Sequence, residues 1–272
     1  MSAGTYDETG LILADLSWPE VRDIKETVDL VLLPIGSIEQ HGPNLALRMD
    51  SSSAFEFCRN ASARMAPRIL VAPAFPWGVS LHHMHFPGTM TLSPDTFVQV
   101  IVELIDSLFQ HGFERFLIVN GHGGNVSAMD IAAIRAKTEL DVPFVGACTY
   151  FSFLDAEGLT QFEKTEHNGH ACEIETSVAM HLIPEIVRED SLSQGELTEL
   201  TTDFVDDMRK YRVSIPYYFE QYTTNGALGD ARLASPEFGQ ALIEGALDRF
   251  CEFVEKLLAS PYAGIGSESV KA

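Results

Sequence analysis

The sequence predicts an α/β fold: one domain built on a mostly parallel, four-stranded sheet with helices on both faces. Three observations lead there. Apolar runs of strand length alternate with segments of helical spacing, the pattern of a parallel sheet covered on both sides. The 272 residues sit at the upper end of one domain and are enough for a sizeable core. No internal repeat, linker or low-complexity tract divides them, so a single domain over residues 1–272, with its core from about 15 to 258, is expected.

Taken in order, residues 1–15 read as a loosely tied end. Ser17-Trp18-Pro19-Glu20 reads as an N-cap with proline at the first position of a helix reaching about Val28. Asp29–Ile35 is the first strand, and Gly36 ends it. The spacing of Ala54, Phe57, Cys58 and Ala61 predicts a helix over Ser51–Met65, capped by Ser51 or Ser52. Ile69–Ala74 is a second strand, followed by a Gly-, His- and Pro-rich loop from Trp77 to Thr91. Ser93-Pro94-Asp95 caps a long amphipathic helix, Thr96–His111, which Gly112 ends. Phe116–Val119 is the third strand and runs into Asn120-Gly121-His122-Gly123-Gly124-Asn125. A helix over about Ser127–Thr138 and a fourth strand, Pro143–Tyr150, complete the alternation.

Composition excludes several classes of function. The formal net charge of -21 argues against a surface that neutralises phosphates, and so against nucleic acid as a partner. Much of the acidic excess lies in Glu185–Asp190 and Glu196–Asp207 and reads as a solvated surface. No window of about twenty residues is free of charge and turn signals, so no membrane span is expected. Asp7 and Glu8 stand where a secretory signal would be basic. The cysteines (Cys58, Cys148, Cys172, Cys251) form no C-x-x-C pair and suit a reducing, cytoplasmic compartment.

Ligands of open α/β sheets gather outside the carboxyl ends of the strands. Glu39 and His41 follow the first strand and His122 follows the third. Two residues apart on extended backbone, Glu39 and His41 face the same way. Gly36, Gly42 and Pro43 keep that segment out of a helix. With Asp50 they form a carboxylate–imidazole set suited to Zn, Mn or Fe alike. His122 reads as a further ligand, with glycines that let the backbone pass close to a metal. The same loop could cradle a phosphate on its N–H groups, but it lacks the G-x-G-x-x-G spacing and the G-K-[ST] ending. In His167-Asn168-Gly169-His170-Ala171-Cys172-Glu173-Ile174-Glu175, Glu173 starts a helix that runs to about Leu182, where the dipole favours an acid. Glu173 and Glu175 would point about 200° apart on that helix, so one faces the site and the other caps, pairs or supports.

Read together, L-P-I-G-S-I-E-Q-H-G-P-N-L-A-L-R-M-D, F-P-G-T-M-T-L-S, N-G-H-G-G-N and H-A-C-E-I-E-T-S resemble the creatininase (creatinine amidohydrolase) family. Gly229-Asp230 through Gly239 resembles its C-terminal segment, and the similarity spans about residues 30–240. The resemblance implies a four-stranded parallel sheet, two divalent ions per chain and a homohexamer. By position, Glu39, Asp50 and His122 would hold one ion; His41, Asp50 and Glu173 would hold the other, with Asp50 bridging and Glu175 in support. Creatininase takes the second ion's glutamate from the loop matching Gly123-Gly124. Here that position is glycine, and the role passes to Glu173 as in relatives with the same loop. His170 matches the family's catalytic histidine, the candidate acid for a leaving nitrogen or for carbonyl polarisation. Gly78-Val79-Ser80-Leu81-His82-His83 resembles the family's G-x-S-x-E-H loop, with His82 where glutamate is usual, and makes Ser80 and His83 candidate substrate contacts.

Charge supports that reading. Carboxylates drawn within about 4 Å repel by roughly 4 kcal/mol per pair at an effective dielectric near 20. Two dications and a hydroxide neutralise three of them, and bound divalent metal lowers the pKa of water toward neutrality. The expected function is a metal-dependent amidohydrolase that cleaves an amide, cyclic amide or formamide C–N bond of a small substrate. Creatinine itself is disfavoured, because the tryptophans that border the creatininase pocket have no counterpart between Tyr150 and Gly169. Phe151, Phe153 and Phe162 could form an aromatic wall there instead. The rivals are a peptide-trimming metallopeptidase of the same family and a non-catalytic anion- or nucleotide-binding protein. The latter would need a cation near His122, where the nearest are Arg115 and Lys137.

Overall fold

The structure, a computed structural model, describes residues 9–199, 213 and 215–261. Part of the acidic stretch Glu196–Asp207 and both ends of the expected 1–272 domain lie outside those residues. The strands are β1 (Leu11–Ile12), β2 (Leu30–Ile35), β3 (Ile69–Val71), β4 (Arg115–Asn120) and β5 (Phe144–Thr149). They form one five-stranded sheet in the order β1-β3-β2-β4-β5, with every pair parallel. The helices are α1 (Trp18–Ile24), α2 (Met49–Met65), α3 (Pro94–Gln110), α4 (Val126–Glu139), α5 (Glu173–Leu182) and α6 (Pro236–Ala259).

Side-chain alternation explains why the central strands read as unbroken apolar runs. In β2, Leu30 and Leu32 join the core beneath α2, α5 and α6, while Val31, Leu33 and Ile35 join the core beneath α3 and α4. β4 divides likewise, with Leu117 and Val119 on one face and Phe116 and Ile118 on the other. Both faces are covered, so the run from Leu30 to Ile35 and the run from Phe116 to Val119 are apolar throughout. Among the described residues no helix is long and apolar enough to cross a membrane.

Three expectations need correction. The sheet has five strands rather than four, because Leu11–Ile12 pairs with Leu70–Val71. That edge is tied down: Leu11 is buried, and its N–H donates to Ser62 Oγ at 2.9 Å. Two residues are too few to show a period, so this strand had no signal. Helix α2 begins at Met49 rather than Ser51, which places Asp50 inside its first turn. Helix α6 was not foreseen as a helix, although Ser235 caps it by accepting from Phe238 N at 3.1 Å.

The sheet order positions the site. From β2 the chain goes to β3 on one side, and then crosses to β4 on the other. The connecting helices α2 and α3 therefore lie on opposite faces, leaving a crevice at the ends of β2 and β4. Ile35 is level with Asn120 in the ladder, so Glu39, His41 and His122 leave the sheet at the same height. The first turn of α2 drops onto those strand ends because both carry glycine. A Cβ on Gly36 would lie 2.3 Å from Ser51 N, and one on Gly121 would lie 2.3 Å from Asp50 O. Gly121→Ala should therefore push the start of α2 off the sheet and cost about 1–3 kcal/mol, the usual range for overpacking. A urea-denaturation midpoint equal to that of the unaltered chain would contradict this packing.

Candidate metal centre

Four of the expected residues converge at the crevice. Glu39, His41, Asp50 and His122 are all buried. His122 Nδ1 is 3.1 Å from both Glu39 Oε1 and Asp50 Oδ2. His41 Nε2 is 3.1 Å from Asp50 Oδ1 and 3.9 Å from Glu175 Oε2. Asp50 thus turns one oxygen to each imidazole.

The outer nitrogens of both rings are already committed. His122 Nε2 lies 3.1 Å from the carbonyl of Val79 and 3.0 Å from Ser80 Oγ. A carbonyl can only accept, so Nε2 carries a proton, and in its neutral form the ring turns a lone pair toward Glu39 and Asp50. His41 Nδ1 donates in the same way to Glu39 O at 3.3 Å, leaving Nε2 as an acceptor. With both rings neutral, each nest brings three acceptors together. Glu39 Oε2, His41 Nε2 and Asp50 Oδ2 are buried and have no hydrogen-bond partner among the described residues. Buried acceptors turned toward one another are costly unless a cation lies among them. An imidazole with two carboxylates is a donor set that fits a divalent ion. The grouping of Glu39, His41 and Asp50 within metal-ligand reach agrees with that fit.

Proton affinities reflect the same demand for positive charge. Burial disfavours charge on His41, but Asp50, Glu175 and Glu39 outweigh it and hold the pKa at about 9. Burial opposes charge on His122 as well, yet Glu39 and Asp50 push it well up. Burial lifts Glu175 to about 7 and raises Glu39. Asp50 is held well down, against its burial, by His41 and His122. Burial and neighbouring imidazoles depress His170 and His83.

Glu173 and Glu175 have exchanged their expected places. Glu173 faces away from the nests: Oε1 accepts from Thr165 N at 2.6 Å and Thr165 Oγ1 at 2.8 Å, and Oε2 accepts from Asp230 N at 3.0 Å. Glu175 faces His41 and is steadied by Ala171 N, which donates to its Oε2 at 2.5 Å. The helical offset between the two acids was correctly expected, but a first-turn position does not say which one turns inward.

A cavity of about 490 Å³ opens above the nests, lined in part by His82, His83, His170, Phe151, Tyr217 and Phe219. Ser80 is fully buried behind His122 with its hydroxyl 2.6 Å from Ser37 Oγ, so it does not reach the cavity as expected. Of the proposed aromatic wall only Phe151 lines the cavity; Phe162 stacks on Phe238 and Phe153 meets Phe250 edge-on. Tyr217 and Phe219 line the cavity as well, with the Phe219 ring centroid 4.3 Å from that of His83 and 4.7 Å from that of His170. They come from a distant loop with no motif to mark them.

The glycine loop is tied down on one side. Asn120 Oδ1 accepts from His122 N at 3.0 Å, and Asn125 clamps Val79 N at 2.8 Å and Gly36 O at 3.0 Å. A Cβ on Gly124 would lie 2.3 Å from Val79 O, so that side of the loop is packed against the neighbouring segment, whereas Gly123 meets open space and lines the cavity.

Comparison with known proteins shows the family and the fold. The creatininase (creatinine amidohydrolase) family model matches residues 14–254. The chain belongs to the creatininase family. It is 31% identical over 237 residues to the mycofactocin precursor peptide peptidase of Mycolicibacterium smegmatis, covering 84% of this chain and 87% of that one. It is 26% identical over 254 residues to the creatinine amidohydrolase of Pseudomonas putida, covering 86% of this chain and 92% of that one. A solved creatininase superposes with a TM-score of 0.79 at 22% identity, covering 92% of this chain and 99% of that one. Other solved creatininases include a manganese form and a Zn–Zn form of a mutant.

The different surroundings of the two glutamates make a testable contrast in metal-free protein. Glu173→Ala leaves Asp230 N and Thr165 N without their acceptor and should cost about 1–3 kcal/mol in urea denaturation. Glu175→Gln removes a carboxylate that burial already disfavours and should cost less. Equal losses would contradict these placements.

Proposed function

We propose that this creatininase-family protein is a dinuclear metal-dependent amidohydrolase acting on a C–N bond, an amide, cyclic amide or formamide, of a small substrate. The observation that carries the reading is the pair of acceptor nests sharing Asp50. Glu39, Asp50 and His122 would hold one divalent ion, and His41, Asp50 and Glu175 the other; zinc, manganese and iron all suit these donors. Such ions neutralise the carboxylates, lower the pKa of water and polarise a carbonyl.

The remaining work falls to the chain's own side chains. Ser80 and the Val79 carbonyl hold the His122 ring by its outer nitrogen, as partners behind metal-binding imidazoles commonly do. Phe151, Tyr217 and Phe219 would confine the substrate and limit bulk water. His170 lines the cavity and would move the proton between attacking water and leaving nitrogen. A homohexamer, implied by family resemblance, belongs to the same proposal. Hydrolysis of a peptide bond is the second reading, favoured by the 31% identity to a precursor peptide peptidase.

Metal analysis of purified variants tests the assignment. Asp50→Asn should lose both ions, Glu175→Gln one, and Glu173→Gln neither; metal retention by Asp50→Asn would overturn the shared-carboxylate reading. Ser80→Ala should weaken binding of one ion by about 10- to 100-fold. A mass-spectrometric panel of creatinine, N-formyl compounds and short peptides, run on metal-loaded protein, separates the two readings of substrate. Turnover of peptides alone would favour the second.

A further inference from the structure

Gln40 sits between the two cavity histidines. It is buried, and backbone groups fix which end of its amide is which. Its Oε1 accepts from Gly42 N at 2.7 Å, and its Nε2 donates to Gly226 O at 3.0 Å. Neither backbone group can reverse its role, so the amide has one orientation. The packing leaves no slack: a Cβ on Gly226 would lie 2.1 Å from Gln40 Oε1.

Nε2 then has one proton left and two imidazole nitrogens in reach, His83 Nδ1 at 2.9 Å and His170 Nε2 at 3.1 Å. His170 Nε2 also lies 2.7 Å from the backbone carbonyl of Gln40, which can only accept. His170 Nε2 therefore carries a proton and cannot receive one. The second amide proton goes to His83 Nδ1, which must be bare.

We propose that Gln40 is a positioning residue that sets the tautomers of both rings, its amide fixing His83 and its carbonyl fixing His170. His83 then presents Nε2–H toward Glu39 Oε2, 3.4 Å away, and His170 presents Nδ1 toward Glu39 Oε1, 3.8 Å away. Two adjacent rings, with centroids 4.7 Å apart, so offer the cavity one donor and one acceptor. A consequence concerns metal binding. Glu39, His83 and His170 lie within metal-ligand reach of one another, but a neutral His83 protonated at Nε2 has no lone pair to give there. That trio is not a third ion site.

What the pair does chemically rests on the hydrolase reading. His170 Nδ1 would accept the proton of the attacking water as the C–O bond forms, and pass it to the nitrogen as the C–N bond breaks. His83 Nε2–H would hydrogen-bond the substrate carbonyl oxygen.

The test is long-range 1H–15N correlation NMR of the full chain labelled with 15N-histidine, metal-free and zinc-loaded, with signals assigned by His83→Gln and His170→Gln. Both rings should be bare at Nδ1, and His170 should stay so whether or not zinc is added. In Gln40→Glu the carboxylate can only accept, so His83 should become protonated at Nδ1 while His170 keeps its Nε2 proton on the backbone carbonyl. In Gln40→Met, His83 should lose its single tautomer. Nδ1 protonation of His83 in the unaltered chain overturns the proposal, and that spectrum decides even if no variant folds. So does a His83 spectrum unchanged by Gln40→Glu. Because no substrate is involved, a protein with the expected tautomers and no hydrolytic activity would count against the hydrolase reading alone.

Discussion

The arrangement depends on one unresolved repulsion. Asp50 turns its two oxygens toward two different imidazoles, and each imidazole has given its proton to a backbone carbonyl behind it. In each nest, lone pairs face lone pairs. The two carboxylates in each nest repel by roughly 4 kcal/mol at an effective dielectric near 20 and separations of about 4 Å. Protons drawn onto His41 and His122 relieve it when nothing else is present, which is why both are pushed up despite burial. Divalent ions would relieve it more fully, since each brings two charges into a space made for one atom.

The rest of the fold holds that repulsion in place. Side chains from the ends of β2 and β4 cannot escape, because those strands are central and buried on both faces. Asp50 cannot withdraw either, because the first turn of α2 is seated on Gly36 and Gly121. Behind these donor atoms a second layer of neutral hydrogen bonds sets orientation: Ser37 and Ser80 behind His122, Asn120 and Asn125 within its loop, and Gln40 beneath His83 and His170. These groups carry no formal charge, so they orient the rings without adding to the electrostatic load.

Much of this was legible in the sequence, for identifiable reasons. The central strands showed because burial on both faces demands unbroken apolar runs, and α3 showed because Ser93 caps it and Gly112 ends it. Glu39, His41 and His122 were legible because they follow strand ends, where the topology of a parallel sheet brings them together, whereas Asp50 reaches them from the first turn of α2. Other features were hidden for equally physical reasons. A two-residue edge strand has no period. The choice between Glu173 and Glu175 depends on how α5 rotates against α6, where a Cβ on Gly239 would lie only 1.9 Å from Ser177 O. Tyr217 and Phe219 are ordinary aromatics until the chain folds them over the cavity. The sequence of the glycine loop does not reveal Val79 packed against Gly124.

The central claim is that Asp50 is shared by two cations. Anomalous X-ray diffraction above the zinc edge, on crystals of zinc-loaded protein, reads this most directly. Two peaks are expected, one between Glu39, Asp50 and His122 and the other between His41, Asp50 and Glu175. A single peak, or any pair that leaves one oxygen of Asp50 without a neighbouring ion, would contradict the account.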